Sequence, residues 1–466
     1  MDILLLNLAN LVDEQGKETE YLTKQIAVPP LGLLYVGQIL NDNGYKVKIY
    51  DQTVTGVHNT ALMKIIQKMD PQIVGFSVLF DNLWTTIDLI KKLKAWNPNI
   101  VTTAGNYFAT FFPEQLMNET DFDFCVRGEG EYILLQLVNQ LFQKKENYNE
   151  IKGLTFRENN LIKSTPMPEK IKNLDELPIP DRKLIDFNYR LQYKSTSILT
   201  SRGCPFRCRF CFFSVLMGKD WRRRSVQNVI EELQLLKEQG YKDILYVDDN
   251  FTLNKKRIFQ LCAEIKRNKL DDLNFSGDCR IDNASLDLMR ALASSNCKKI
   301  VFGIESGNQE LLDYYCKGIT IEQIKQAVKN ARRGQIEILY GSFVLGAPNE
   351  TINQAINTIK FAYKLDLSFA VFQLLEIIQL SPIYQDMVEK GCYSPQIDDW
   401  KKVLMVSDIC PTAISTNVLL KLIDEGFARF FNRHYLTNLL LDALKSDYYV
   451  DILVQTLRNL KLGVTF

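Results

Sequence analysis

The chain has 466 residues and a formal net charge of +1, with 24% charged and 46% hydrophobic residues. That length exceeds one ordinary core, so two or three domains are expected, and the balanced charge gives no general affinity for nucleic acid. Only two histidines occur, His58 and His434, which excludes a His-rich metal site and argues against Ser-His-Asp chemistry.

The opening MDILLLNLANL has no basic n-region and no small-residue cleavage site, so it reads as a buried first strand and not a secretory signal. Strands are expected over 3–8, 46–50, 73–78, 100–104 and 122–126, each followed by a helical pattern. Such alternation predicts a doubly wound parallel sheet in an α/β domain over 1–145. Right-handed crossovers then put ligands at the C-terminal ends of its strands. GLTFRENNLIK (153–163) reads as a hairpin turning at Asn159-Asn160, and LDELPIPDR (174–182) as a linker, so 146–196 is a hairpin-and-linker region.

A second alternating series is expected over 197–381, with strands at 197–200, 244–247, 273–277, 299–304, 336–345 and 370–375. Six βα units are too few to close an eight-stranded barrel, which predicts a partial (β/α)6 barrel. Ser225 is the expected N-cap of the helix that follows in SVQNVIEELQLLKEQG. The region 382–466 reads as mostly helical. Arg222, Arg223 and Arg224 form a short basic run, expected to be a solvated patch or to contact one anionic ligand. No stretch reaches about 18 consecutive apolar residues, so no membrane span is expected. Ten scattered cysteines point to a reducing compartment, the cytoplasm.

TSRGCPFRCRFCFFS (200–214) carries Cys204, Cys208 and Cys211 in a C-x3-C-x2-C spacing. Structural zinc takes four ligands, usually as two separated pairs. A [4Fe–4S] cluster is normally held by four cysteines, so three would leave one iron open to a small molecule. The other cysteines (Cys125, Cys262, Cys279, Cys297, Cys316, Cys392 and Cys410) lie mostly in apolar surroundings and read as core residues.

This motif, set after the first strand of a six-unit βα series, resembles the radical S-adenosylmethionine (SAM) superfamily over about 197–380. The resemblance implies a [4Fe–4S] cluster on Cys204, Cys208 and Cys211, whose open iron chelates SAM and yields a 5′-deoxyadenosyl radical. It implies that Phe210 packs near adenine, and that Asp248, Asp249 and Asn250 of DDNFT contact the SAM amino group. Glu305 or Ser306 of FGIESG would face the methionine or ribose end, and Gly346 of FVLGAPNET would let backbone approach adenine. Arg202, Arg207 and Arg209 are expected to offset the negative charge of the cluster, or else to be solvated.

GFSVLF (75–80), TAGNYFAT (103–110) and VRGEGE (126–131) resemble the cobalamin-binding domain fused before radical SAM cores. The resemblance implies cobalamin contacts at Ser77, Gly105, Asn106, Gly128 and Glu129, with Gly75, Gly105 and Gly128 making room for a large flat ring. Many such domains carry D-x-H-x-x-G after the first strand, whose histidine ligates cobalt. Here the loop reads NLANLVDEQGKET, and His58 follows the second strand, so cobalamin is expected to bind without a histidine ligand. The resemblance implies a cobalamin-dependent radical SAM methyltransferase acting on an unreactive carbon of a small-molecule, peptide or lipid substrate. An electron donor such as flavodoxin or ferredoxin would serve it. Alternative readings are a radical SAM cyclase or rearrangement enzyme, a radical SAM enzyme with a vestigial cobalamin domain, and an iron–sulfur electron carrier.

Overall fold

The computed structural model describes residues 1–19, 28–159, 161–185, 193, 195–212, 218–410 and 413–430, and every structural statement concerns these. Its contacts divide the chain into two units, Met1–Ile198 with Arg222–Ile244, and Leu199–Trp221 with Leu245–Phe466.

The first unit is built on five parallel strands, and the apolar runs at 3–7 and 73–77 become the ones buried on both faces, as the middle of a parallel sheet requires. The five are β1 (Ile3–Asn7), β2 (Val47–Asp51), β3 (Ile73–Ser77), β4 (Val101–Gly105) and β5 (Phe124–Val126). The predicted hairpin supplies β6 (Leu154–Glu158) and β7 (Leu161–Ser164), with Asn159 at a positive φ of 52° in the turn. Asn160 lies outside the described residues. The strand order is β2-β1-β3-β4-β5-β6-β7. β1 to β5 are parallel, and the hairpin adds antiparallel to β5, so it extends the sheet. Because the chain leaves β1 toward β2 on one side and β3 on the other, a crevice opens at their C-terminal ends, the usual ligand position in such sheets.

Gly75 departs from its expected role. It lies inside β3, and a Cβ there would stand 2.7 Å from Leu5 Cδ2 and 3.2 Å from Thr103 Oγ1. Its job is packing between strands. The basic run is not a solvated patch either. Arg222 donates to Glu129 at 2.8 Å and to the Ile171 carbonyl at 2.6 Å. Arg224 is buried, donates to Asn228 Oδ1 at 2.6 Å and pairs with Glu232. The other oxygen of Glu232 takes Arg182 Nη1 at 2.7 Å, and Arg182 also donates to the Ser197 carbonyl at 2.6 Å. All three side chains of this Arg–Glu–Arg triad are buried. Only Arg223 is exposed.

The second sheet contains β8 (Ser195–Ile198), β9 (Asp243–Tyr246), β10 (Asn274–Cys279), β11 (Cys297–Glu305), β12 (Ile338–Leu345) and β13 (Phe369–Leu374). In the second unit β10 to β13 lie side by side in chain order, with β13 at the edge, as the expected partial barrel requires. β8 and the start of β9 fall in the first unit and the other strands in the second. Ser225 caps its helix as expected, accepting from Asn228 N. In the second unit, Thr320 and Thr351 cap two more helices with reciprocal Gln323 and Gln354 bonds. Past Pro382, helices occupy Pro382–Glu389, Val406–Ile409 and Thr416–Phe430, joined by a short antiparallel pair of 376–377 with 404–405 that the helical expectation omitted. His434 lies outside the described residues.

Candidate active site

The cysteine loop follows β8 and is turned by glycine. Gly203 has φ +88°, and a Cβ there would lie 2.3 Å from the Asp220 carbonyl oxygen. Cys204 N donates to the Gly218 carbonyl at 3.2 Å, Arg209 N to the Tyr315 carbonyl at 3.0 Å, and Cys211 N to the Cys208 carbonyl at 3.0 Å. Cys208 is buried while Cys204 and Cys211 are half-buried, and all three are free thiols. Asn250 Nδ2 lies 3.9 Å from Cys204 Sγ, and Arg280 Nη1 lies 3.8 Å from Cys208 Sγ. Burial pushes the Cys208 thiol up, and Lys317 and Arg280 oppose that shift. Three free thiols on one tight loop, two of them facing an N–H donor, suit iron–sulfur ligation. Among the described residues, no three Cys, His, Asp or Glu side chains converge on a single ion.

The cations beside Cys208 are not the ones the motif suggested. Arg209 pairs with Asp386 at 2.9 Å and lies 4.7 Å over the Tyr314 ring. Arg207 is exposed and Arg202 is buried. Arg280, just past β10, and Lys317, beyond the helix Gln309–Tyr314, take that place, and sequence reasoning missed both. The only signal for Arg280 was an arginine at a strand C-terminal end, where ligands of such sheets gather.

The residues of DDNFT brace the cysteine loop. Asp248 is buried and accepts from Thr200 N at 2.6 Å, Thr200 Oγ1 at 2.5 Å and Ser201 Oγ at 2.7 Å. Burial pushes its carboxyl up against these bonds. Asp249 accepts from Gly203 N at 2.7 Å, and Asn250 faces Cys204. The sequence reading gave these side chains to the SAM amino group, whereas their contacts here go to the loop.

Glu305 and Ser306 part company. Glu305 sits at a register shift in β11 with a positive φ of 68°, and it accepts from Lys317 Nζ at 2.5 Å. Gly303 gives this pair its space, because a Cβ there would lie 2.7 Å from Glu305 Oε1 and 2.9 Å from Lys317 Nζ. Ser306 is fully buried and bonds Thr358 Oγ1 at 3.1 Å and Asn308 N at 3.1 Å, tying the strand end to the helix Ile352–Lys364.

Gly346 has φ +99°, and its N–H and that of Ala347 donate to Glu350. Burial pushes the Glu350 carboxyl up to about 7. Its Oε1 and the Tyr315 hydroxyl are both buried without a hydrogen-bond partner among the described residues. Phe210 meets Tyr315 edge-on at 5.2 Å and packs on the apolar group of Val344, Ala347 and Leu375, so the cysteine loop and the β12 end share one wall.

In the first unit, Asn106 Nδ2 donates to Ser77 Oγ at 3.1 Å across the ends of β3 and β4, and Asn106 holds φ +75°. A Cβ on Gly105 would meet the Phe76 carbonyl oxygen at 3.8 Å, an ordinary contact, so the position tolerates a small side chain. Gly128 has φ +87° and donates its N–H to Thr110 Oγ1 at 3.1 Å. Glu129 accepts from Arg222 Nη1 and from the Ile171 N–H, both at 2.8 Å. His58 stands at the start of the helix Asn59–Met69 without a side-chain capping bond, with Nδ1 3.6 Å from Glu18. These small polar groups gather at the C-terminal ends of β3 to β5, the side of such a sheet on which ligands bind.

Three thiols after the first strand of a six-stranded partial barrel is the arrangement of a radical SAM enzyme. Residues 198–362 match the family model of the Radical SAM superfamily, and 25–138 match that of the B12 binding domain. The chain is 34% identical over 413 residues to an uncharacterized methyltransferase of Pyrococcus horikoshii, covering 87% of this chain and 88% of that protein. It therefore belongs to the radical SAM enzymes that carry a B12 binding domain ahead of the barrel. It is also 26% identical to the anaerobic magnesium-protoporphyrin IX monomethyl ester cyclase of Cereibacter sphaeroides, over 86% of this chain and 67% of that one. Among solved structures, the radical S-adenosylmethionine methyltransferase TsrM of Kitasatospora setae, with cobalamin and a [4Fe–4S] cluster bound, shares the fold at a TM-score of 0.71 and 21% identity, covering 84% of this chain and 78% of that one. The cofactors of such an enzyme are a [4Fe–4S] cluster, SAM and cobalamin.

Proposed function

We propose that the chain is a cobalamin-dependent radical SAM methyltransferase acting on an unactivated carbon of a small-molecule, peptide or lipid substrate. The observation that carries this reading is the 34% identity to a methyltransferase across 87% of the chain. When bound, the cluster and SAM supply a carbon-centred radical and cobalamin supplies a methyl carrier.

The chain's own residues position these groups. Cys204, Cys208 and Cys211 hold the cluster and leave one iron for SAM. Phe210, Gly346 and Ala347 form the wall against which adenine packs. Glu305, held by Lys317, takes the methionine or ribose end. Asp248, Asp249 and Asn250 keep the cysteine loop in place, and Ser306 fixes the strand end behind it. Ser77, Gly105, Asn106 and Gly128 take cobalamin with no histidine beneath the metal. A flavodoxin or ferredoxin supplies electrons, in a reducing compartment suited to ten free cysteines.

The test is product analysis under anaerobic turnover with candidate substrates and SAM bearing a deuterated methyl group. S-adenosylhomocysteine and 5′-deoxyadenosine in about equal amounts, with the deuterated methyl on product, is the expected outcome. The identity to the cyclase favours a second reading, ring closure. Product with 5′-deoxyadenosine and no S-adenosylhomocysteine would select it.

A further inference from the structure

Arg280 is held by more contacts than a surface arginine needs. Its Nε and Nη2 donate to the two Asp282 oxygens at 3.1 and 3.0 Å. Nη2 also donates to the Lys317 carbonyl at 2.9 Å. The guanidinium carbon lies 3.5 Å from the centre of the Phe206 ring. Its remaining nitrogen, Nη1, lies 3.8 Å from Cys208 Sγ. The side chain is 11% exposed.

The contacts come from separate segments. Asp282 and the Lys317 carbonyl aim the fork, and Phe206, inside the motif, carries its face. A planar guanidinium with five donors can meet a carboxylate, a carbonyl, a ring and a sulfur together, which an ammonium cannot do in this geometry. Lys317, the other cation near Cys208, is already neutralised by Glu305 at 2.5 Å in a pair with both partners under 9% exposed.

We propose that Arg280 is a positioning residue that raises the reduction potential of the cluster by donating to the Cys208 sulfur. The proposal rests on the assignment of the cluster to Cys204, Cys208 and Cys211. Reduction adds one negative charge to the cluster, and hydrogen bonds to ligand sulfurs and local charge are the protein's levers on its potential. An N–H donor beside the sulfur stabilises the reduced form more than the oxidised form; Asp282, paired with Arg280 at 3.0 Å, offsets part of the guanidinium charge, so the donor contact to Cys208 is the main lever. The low exposure of Arg280 keeps that effect from being screened by water.

The experiment is an anaerobic redox titration followed by electron paramagnetic resonance, on reconstituted full-length wild type, Arg280→Gln and Arg280→Lys, with iron content measured in each. Arg280→Gln should lower the reduced-to-oxidised ratio at a fixed potential about tenfold, equivalent to 59 mV for one electron. Arg280→Lys, which keeps the charge and loses the fork, should lower it about threefold by the same lever. A full iron complement with an unchanged potential in Arg280→Gln overturns the proposal. If Arg280→Gln loads no iron, Arg280→Lys decides on the same criterion. A merely structural arginine would lower iron content or Tm and leave the potential of the cluster-bearing fraction unmoved. Wild type that binds no [4Fe–4S] cluster refutes the cluster assignment itself, which iron and absorbance measurements read independently of potential.

Discussion

The backbone N–H of Thr200 donates to Asp248 at 2.6 Å, joining the start of the cysteine loop to the end of β9. Asp248 also accepts from two hydroxyls, and Arg257 Nη1 and Nη2 bond Thr200 at 3.1 Å, so one buried carboxylate organises a set of donors. Asp248→Ala strips the acceptor from buried groups and should cost about 3 kcal/mol. Urea denaturation of the cluster-free protein checks this, with Asp248→Asn expected to lose less. An unchanged urea midpoint in Asp248→Ala would show that its bonds contribute nothing.

Two glycines make opposite predictions. At Gly203 an added Cβ meets a carbonyl at 2.3 Å with φ at +88°, so Gly203→Ala must displace the loop and should reduce iron bound per chain several-fold. At Gly105 an added Cβ meets nothing closer than 3.8 Å, so Gly105→Ala should fold normally and keep its iron. Its methyl group would intrude on the space assigned to cobalamin, so cobalamin uptake after anaerobic reconstitution should fall. Equal cobalamin uptake in Gly105→Ala and wild type would move the ring away from the β4 end.

Glu350 gives stability a pH dependence of definite sign. Its carboxyl is raised from 4.5 to about 7 by burial, so the folded state holds a proton that the unfolded state has lost across that window. Stability therefore falls as pH rises from about 4.5 to about 7, by about 3 kcal/mol in all. Glu350→Gln keeps an acceptor for the Gly346 and Ala347 N–H groups and removes the titration. Its Tm should change less between pH 5 and 8 than that of wild type. Identical pH profiles would refute the assignment.

The Arg182–Glu232–Arg224 triad predicts an asymmetry. Glu232→Ala leaves two buried guanidinium groups without their shared carboxylate, at a cost of about 3–5 kcal/mol. Replacing the exposed Arg223 by alanine should change stability by less than about 0.5 kcal/mol. Thermal denaturation of both variants measures the difference.

Strand positions were legible because central parallel strands are written as apolar runs, and β1 and β3 start where they were expected, at Ile3 and Ile73. The cysteine loop was legible because its ligands are local in sequence. Arg280 was not, since it meets Cys208 across 72 positions that only the fold closes. The run Arg222 to Arg224 misled for a geometric reason. Extended backbone sends alternate side chains to opposite sides, so Arg222 meets the half-buried Glu129 and Arg224 the buried Glu232, while Arg223 is exposed. Motif order placed Asp248 at a strand end, yet it carried no information about which way the carboxylate turns.

The distribution of cysteines also decides what oxygen does to this protein. Burial pushes the thiols of Cys125 and Cys279 up to about 12, and those of Cys262 and Cys297 upward as well. These four stay protonated at neutral pH, and a protonated thiol is a poor nucleophile toward peroxide or an alkylating reagent. Chemical damage after cluster loss therefore concentrates on Cys204 and Cys211 of the loop and on the exposed Cys316 and Cys392, while the buried cysteines of the strands and of the helix Lys255–Arg267 keep their sulfur intact. Peptide mapping of aerobically aged protein would mark the cofactor loop and the two exposed cysteines, with the interior of both sheets unmarked.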